Sequence, residues 1–151
     1  MITETLSVKG NLKIVVTDSK TKEVKETRDL KNLVVATGKD YIVSRMNSNS
    51  APIMGHMAVG TGNIAPSTSN VLLIGETARV AVDSASITDN TITYVATYPG
   101  GTGTGTIAEA GMFNSGNTTA NTGTMLCRVR FNEVNKGATD IVTVTWNITV
   151  E

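Results

Sequence analysis

The chain has 151 residues, enough for one domain with a buried core. Thirteen basic residues balance thirteen acidic ones and only 17% of positions are charged, which argues against a nucleic-acid or membrane-surface binder of the usual basic kind. A single cysteine, Cys127, excludes an internal disulfide framework and a cysteine-built zinc cage.

Aromatic residues make up only 4%, and Thr, Gly, Ser and Asn fill the difference. That composition suits a β-protein with many turns better than a helical bundle. No apolar run approaches the roughly 18 residues of a membrane span. Met1-Ile2-Thr3-Glu4 lacks the basic and apolar regions of a signal peptide, so synthesis in a cytoplasm is expected.

In chain order, the first expected element is a hairpin over about residues 9–31, carrying Lys9, Lys13, Lys20, Lys22, Lys25, Arg28 and Lys31 among the acids Asp18, Glu23, Glu26 and Asp29. Leu12 to Thr17 alternates as a strand, Asp18 to Thr21 turns, and Glu23 to Leu30 returns as an exposed strand with a charge-protected edge. The interleaved acids cancel any polyanion patch, which makes a solvated hairpin the better reading. Thr37-Gly38-Lys39-Asp40 resembles a capping box, and Tyr41, Ile42, Arg45 and Met46 follow at one-turn spacing. One short helix is therefore expected near residues 38–47, ended by Asn47 to Pro52.

Beyond Ile53 the pattern is β. Strands are expected over Met54 to Gly60, Arg79 to Ser86, Thr91 to Tyr98, Thr106 to Phe113 and Thr124 to Phe131, with a turn at Asp89-Asn90. Val71 to Ile74 reads equally as a helical turn or a buried stretch. Two loops, Pro99 to Gly105 and Asn114 to Asn121, break the pattern. The last strand is the clearest: Val142, Val144, Trp146, Ile148 and Val150 share one face, expected to be core, and Thr143, Thr145, Asn147 and Thr149 the other. About eight to ten short strands separated by regular turns predict a single antiparallel β-sandwich or barrel spanning residues 1–151.

Thr106–Phe113 and Thr124–Phe131 form a hairpin whose register is decided by one charge. Turning Glu109 inward would bury an unpaired carboxylate at a cost of several kcal/mol. The alternative turns Ala108, Ala110 and Met112 inward against Met125, Cys127 and Val129, and sets Glu109 directly opposite Arg128 on the outer face. An exposed cross-strand pair of that kind is worth roughly 0.2–1 kcal/mol. Phe113 then lies on the outer face, to be covered by the helix or by another subunit.

Candidate chemistry is sparse. His56 is the only histidine and sits in a strand pattern between Met54 and Met57; Cys127 likewise lies mid-strand. Both read as packing residues, because no acid, base or ligand partner stands at workable spacing. The Gly100–Gly105 loop lacks the Gly-Lys-Ser/Thr and following helix of a phosphate cradle. Asp83 and Asp89 are too isolated for a calcium loop. Asn117-Thr118-Thr119 and Asn147-Ile148-Thr149 match the glycosylation sequon, but without a secretory signal both read as chance. Acids of the later chain are too scattered for paired-carboxylate catalysis. The reading is non-enzymatic, with no cofactor and no metal.

An ordered series of blocks resembles small virion proteins of tailed bacteriophages. It runs from Asn32-Leu33-Val34-Val35-Ala36-Thr37-Gly38 through Met57-Ala58-Val59-Gly60-Thr61-Gly62 and Ala65-Pro66 to Gly75-Glu76-Thr77-Ala78-Arg79. It continues with Ile107-Ala108-Glu109-Ala110-Gly111-Met112-Phe113-Asn114, then Gly123-Thr124-Met125-Leu126-Cys127-Arg128, then Asn135-Lys136-Gly137. The resemblance implies a non-enzymatic, homo-oligomeric accessory component of the virion, made in the host bacterial cytoplasm. Its expected partners are further copies of itself and capsid or tail subunits. Because the last strand closes at Glu151, with little room for a fibre shaft, capsid decoration is favoured over a tail or neck appendage. The charged hairpin of residues 9–31 is the candidate docking element. The alternative is a carbohydrate-binding host-attachment module, which needs an accessible aromatic platform among Tyr41, Tyr94, Tyr98 and Trp146.

Overall fold

The computed structural model describes residues 1–48, 50–114 and 117–151. Asn49, Ser115 and Gly116, which the sequence reading assigns to the segment ending the helix and to the loop after Phe113, lie outside them. Two antiparallel sheets face each other as a β-sandwich; no closed barrel forms. The first sheet has the order β2-β1-β10-β7-β6, built from β1 (Val8–Thr17), β2 (Val24–Lys31), β6 (Ser84–Thr88), β7 (Thr91–Tyr98) and β10 (Ile141–Val150). The second has the order β3-β9-β8-β4-β5, from β3 (Leu33–Val34), β4 (His56–Gly60), β5 (Glu76–Ala81), β8 (Gly105–Phe113) and β9 (Met125–Lys136). One helix, α1 (Ala36–Asn47), follows β3.

The first sheet is written in period-two alternation. Leu12, Ile14 and Val16 of β1, Tyr94, Ala96 and Tyr98 of β7, and Val142, Val144, Trp146 and Ile148 of β10 are all buried. They meet Met57, Val59, Ala110, Met112, Cys127 and Val129 of the second sheet in one apolar core. Strand β10 lies at the centre of its sheet, so its inward row is covered by neighbours on both sides. Val150, expected in that row, is 37% exposed because it ends the strand at the rim. Two polar groups inside this layer are satisfied: Trp146 Nε1 donates to Asn32 Oδ1 at 2.7 Å, and Tyr98 Oη donates to the Met57 carbonyl of the opposite sheet at 2.8 Å. Asn32 reaches the indole across Gly10, where any Cβ would collide with its side chain.

The expected charged hairpin forms from β1 and β2, and it is built into the first sheet: β1 sits between β2 and β10, and only β2 lies at an edge. Three expectations need correction. The helix starts at Ala36 with Val35 at its N-cap and no side-chain cap, because Thr37 Oγ1 instead donates to the Met125 carbonyl at 3.0 Å. The expected strand Arg79–Ser86 is two strands in different sheets. Val82 N–H bonds the Gly55 carbonyl and Asp83 N–H the Val95 carbonyl, so the chain changes sheets between these residues. Finally, Val71–Ile74 is neither a helical turn nor a buried stretch; it lies in the long loop joining β4 to β5, with Leu73 buried and Val71, Leu72 and Ile74 exposed.

Trp146→Ala removes the largest fully buried side chain and strands Asn32 Oδ1. A loss of about 3–5 kcal/mol in chemical denaturation is expected. A loss below 1 kcal/mol would contradict a central packing role.

Candidate functional site

A dense polar cluster lies on the outer face of the second sheet, beneath the β4–β5 loop. Glu109 of β8 and Arg128 of β9 are both fully buried and form an ion pair, with Arg128 Nη2 at 2.9 Å and Nε at 3.0 Å from Glu109 Oε2. The carboxylate also accepts three backbone N–H groups: Gly62 at 3.0 Å and Gly75 at 2.7 Å on Oε1, and Ile74 at 3.1 Å on Oε2. Arg128 donates onward to the Ile64 carbonyl at 2.9 Å and Asn70 Oδ1 at 3.1 Å. Both ends of the loop and its middle are thus tied to one carboxylate–guanidinium pair. Glycines make the approach possible, since a Cβ on Gly62 would strike the Glu109 carboxylate and one on Gly60 the Gly75 carbonyl.

The register expectation is corrected in its offset and in part of its faces. Glu109 stands opposite Arg130, and Gly111 opposite Arg128, so the ion pair is diagonal by two residues. Ala110 and Met112 point into the core with Cys127 and Val129, and Phe113 points outward. The ladder shifts twice, where Phe131 to Glu133 of β9 stand against Ala108 alone and where Leu126 is an extra residue of β9; Ile107 turns into the core in place of Ala108, and Met125 joins the outer cluster. The pair is also not solvated, because the loop covers it. Phe113 is covered by neither expected agent. Arg79 stacks its guanidinium 4.0 Å from the ring centroid, and Leu73, Val35 and Met125 fill the remaining sides.

A second buried pair adjoins the first. Arg79 holds Glu76 by two bonds, 2.8 and 3.0 Å, and donates to the Thr122 carbonyl at 2.6 Å. Glu76 Oε2 accepts the Asn121 N–H, so this pair fastens the β8–β9 loop. A third cluster closes one edge of the sandwich. Arg28 of β2 donates to the Asn132 and Glu133 carbonyls of β9, and Glu26 accepts the Asn135 N–H. Lys25 bonds Asp140 at 2.6 Å, and Asp140 also accepts the Gly137 N–H. Lys25, Glu26 and Arg28 of the expected docking hairpin are therefore engaged within the chain, as is Lys9, which bonds Glu151 at 2.5 Å.

Cys127 is buried in the core, and burial pushes its thiol pKa well above the ordinary value of 9.0, against a smaller lowering by the Met112 backbone. Such a thiol is a poor nucleophile. His56 opens β4 opposite Phe113 and Ala81, with Nδ1 buried and without a hydrogen-bond partner among the described residues. No group of three His, Cys, Asp or Glu side chains gathers to hold a metal ion among the described residues. Nor is any helix there long and apolar enough to cross a membrane.

Sequence reasoning found Glu109 and Arg128 but missed Glu76, Arg79, Asn70 and the loop glycines. The signal was present: Val59-Gly60-Thr61-Gly62 and Ile74-Gly75-Glu76 are where small residues permit close backbone approach. Comparison with known protein families, curated proteins and solved structures finds no match to this chain.

Two outcomes follow. Glu109→Gln or Arg128→Met leaves one buried charge unpaired, and a loss of about 3–5 kcal/mol is expected. Buried pairs often tolerate joint apolar replacement. Here the double change Glu109→Met/Arg128→Met should stay destabilised, because the Gly62, Ile74 and Gly75 amides lose their acceptor; full recovery by denaturation would refute that.

Asp140 titrates below the ordinary carboxylate value of 3.8, first because Lys25 bonds it and second because the Gly137 N–H does. A lowered folded pKa means its stabilisation is complete above the unfolded value and is lost as pH falls through the folded one. Thermal midpoints should therefore drop between about pH 5 and pH 2, less steeply in Asp140→Asn. Equal slopes for the two proteins would remove Asp140 from the account.

Proposed function

We propose that the protein is a non-enzymatic structural component of a bacteriophage virion, a homo-oligomeric accessory protein decorating the particle, with capsid decoration ahead of a tail or neck position. The supporting observation is where the blocks of the resemblance meet. Gly60 to Gly62, Gly75 to Arg79, Glu109 to Asn114 and Arg128 lie far apart in sequence. In the fold they supply the Glu109–Arg128 pair, the amides it binds, and the Glu76–Arg79 pair beside it. Residues from several blocks of the resemblance are thus parts of one fastening that holds long loops onto a sheet. Such a fastening rigidifies a scaffold; it presents no open carboxylate or guanidinium to a substrate.

The carbohydrate-binding alternative loses weight on burial. Trp146, Tyr94, Tyr98, Phe113 and Phe131 are all buried, and Tyr41 is partly covered with its hydroxyl on the Pro52 carbonyl. A flat sugar-stacking platform needs an open ring face.

The reading is tested by immunogold electron microscopy of particles produced by a host carrying this gene, using antibody to the purified protein. Regular labelling of capsids is expected; labelling confined to the neck or tail would move the position but keep the class. Particles that never carry the protein would overturn the proposal, and labelled fibre tips with sugar binding would restore the alternative.

A further inference from the structure

The two edges of the first sheet are finished differently. Strand β2 carries Lys25, Glu26, Arg28, Asp29 and Lys31, whereas β6, Ser84-Ala85-Ser86-Ile87-Thr88, is uncharged and exposed along its whole length. An edge without charge or cover is open to an added strand. Beside it lies a predominantly apolar groove of about 350 Å³, bordered by Ile87, Ile92, Tyr41 and Ile42, with Val8 and Val150 also in its lining. Ile87 is 75% exposed.

The same chain carries a segment suited to fill it. Met1–Leu6 lies outside every strand, with Ile2 99% and Leu6 77% exposed. Ser7 is fixed by reciprocal backbone bonds to Glu151, N–H to carbonyl at 2.6 and 2.8 Å. The segment therefore leaves the fold beside Val8 and Val150, two residues of the groove. Its residues include no Gly, Pro, Asn or Asp to turn it back onto its own groove. Six extended residues reach roughly 20 Å, far enough to cross to an adjacent molecule.

We infer that Met1–Leu6 of one copy docks in the groove of a second copy along the free edge of β6, seating its apolar side chains there in a reciprocal exchange. Direct pairing of two β6 edges is the poorer solution. Antiparallel pairing centred on Ser86 sets Asp83 of each copy against Asp89 of the other, and like charges directly opposed are destabilising. The arm's one charged side chain, Glu4, falls in its middle. This inference rests on the self-assembly reading above and names the surfaces that carry it.

Sedimentation of the full chain should show a dimer or larger species. Deleting residues 1–6, or the substitution Ile87→Asp, should weaken association at least tenfold while the thermal midpoint of the deletion variant stays close to that of the parent. If Ile87→Asp fails to fold, a cross-link decides. A mixture of Leu6→Cys chains and size-tagged Ile87→Cys chains should give a mixed disulfide dimer on mild oxidation, with buried Cys127 not competing. Unchanged association after the deletion would overturn the exchange and leave self-assembly standing. An intramolecular disulfide in the doubly substituted chain, with no mixed dimer, would assign the arm to its own groove and also overturn it. A parent chain that stays monomeric at every concentration would overturn both readings.

Discussion

A carboxylate cut off from water must have its charge balanced and its lone pairs filled where it lies, and Glu109 meets both demands with partners from distant parts of the chain. Arg128 supplies the counter-charge, and Gly62, Ile74 and Gly75 supply amides. Few arrangements of the β4–β5 loop satisfy all of these at once. The ion pair gains less as a source of stability than as a constraint, since desolvating two charges offsets much of their attraction. What it secures is position. The loop carries Leu73 onto Phe113 and Met125 and so converts the outer face of the second sheet into a small second core.

That second core explains why β8 is buried from Ile107 to Phe113 without a break. Antiparallel strands usually have one wet face, and here the wet face of β8 has been roofed. The roof requires close backbone approach, hence glycine at positions 60 and 62, and it requires a polar anchor, because a purely apolar contact would leave the amides at the loop's ends unpaired. Arg79 serves twice, holding Glu76 and lying over Phe113, so the roof and the β8–β9 loop are fastened to the same place. The opposite side of the sandwich is held differently. There the charges of β2 reach across to β9, and Lys25 ties Asp140.

How much of this was legible follows from where the information sits. Period-two alternation in β1, β7 and β10 belongs to local sequence, so their inward rows were readable, Trp146 included. In the middle of the hairpin, from Glu109 to Phe113 and from Cys127 to Val129, the faces were readable from the cost of an unpaired inward charge, although Glu109 proves to be buried and paired on the outer face. The register offset was not. It is set by the Phe113–Met125 pair that starts the ladder and by the extra residue at Leu126, and such a bulge depends on what the neighbouring strand and the roof require rather than on any residue type in β8 or β9. The sheet change at Val82–Asp83 was hidden for a similar reason: Val80, Val82, Ala85 and Ile87 read as nearly continuous alternation, while the amides that turn the chain bond to opposite sheets. The Glu109 cluster was half visible. An acid amid small apolar residues signals a partner, but nothing local says that three of the partners are backbone groups about 35 to 47 positions away.

The distribution of polar protection also bears on assembly. A sandwich has four sheet edges, and each exposes unpaired backbone groups unless something intervenes. At β2 the intervening groups are charges, several of them bonded to β9. At β3 the strand is two residues long and runs straight into α1. At β5 the Glu76–Arg79 pair and the β8–β9 loop occupy the flank. Strand β6 has none of these and offers only Ser, Ala, Ile and Thr. Among the described residues the chain thus fastens three sheet edges with buried ion pairs, charged side chains or an abrupt stop, and leaves one uncharged beside an apolar groove. Exposed apolar side chains such as Met46, Ile53 and Ile64 lie elsewhere, but none of them is on an open strand edge. Under the self-assembly proposed above, one open edge would direct strand addition to one geometry, where several would permit disordered aggregation.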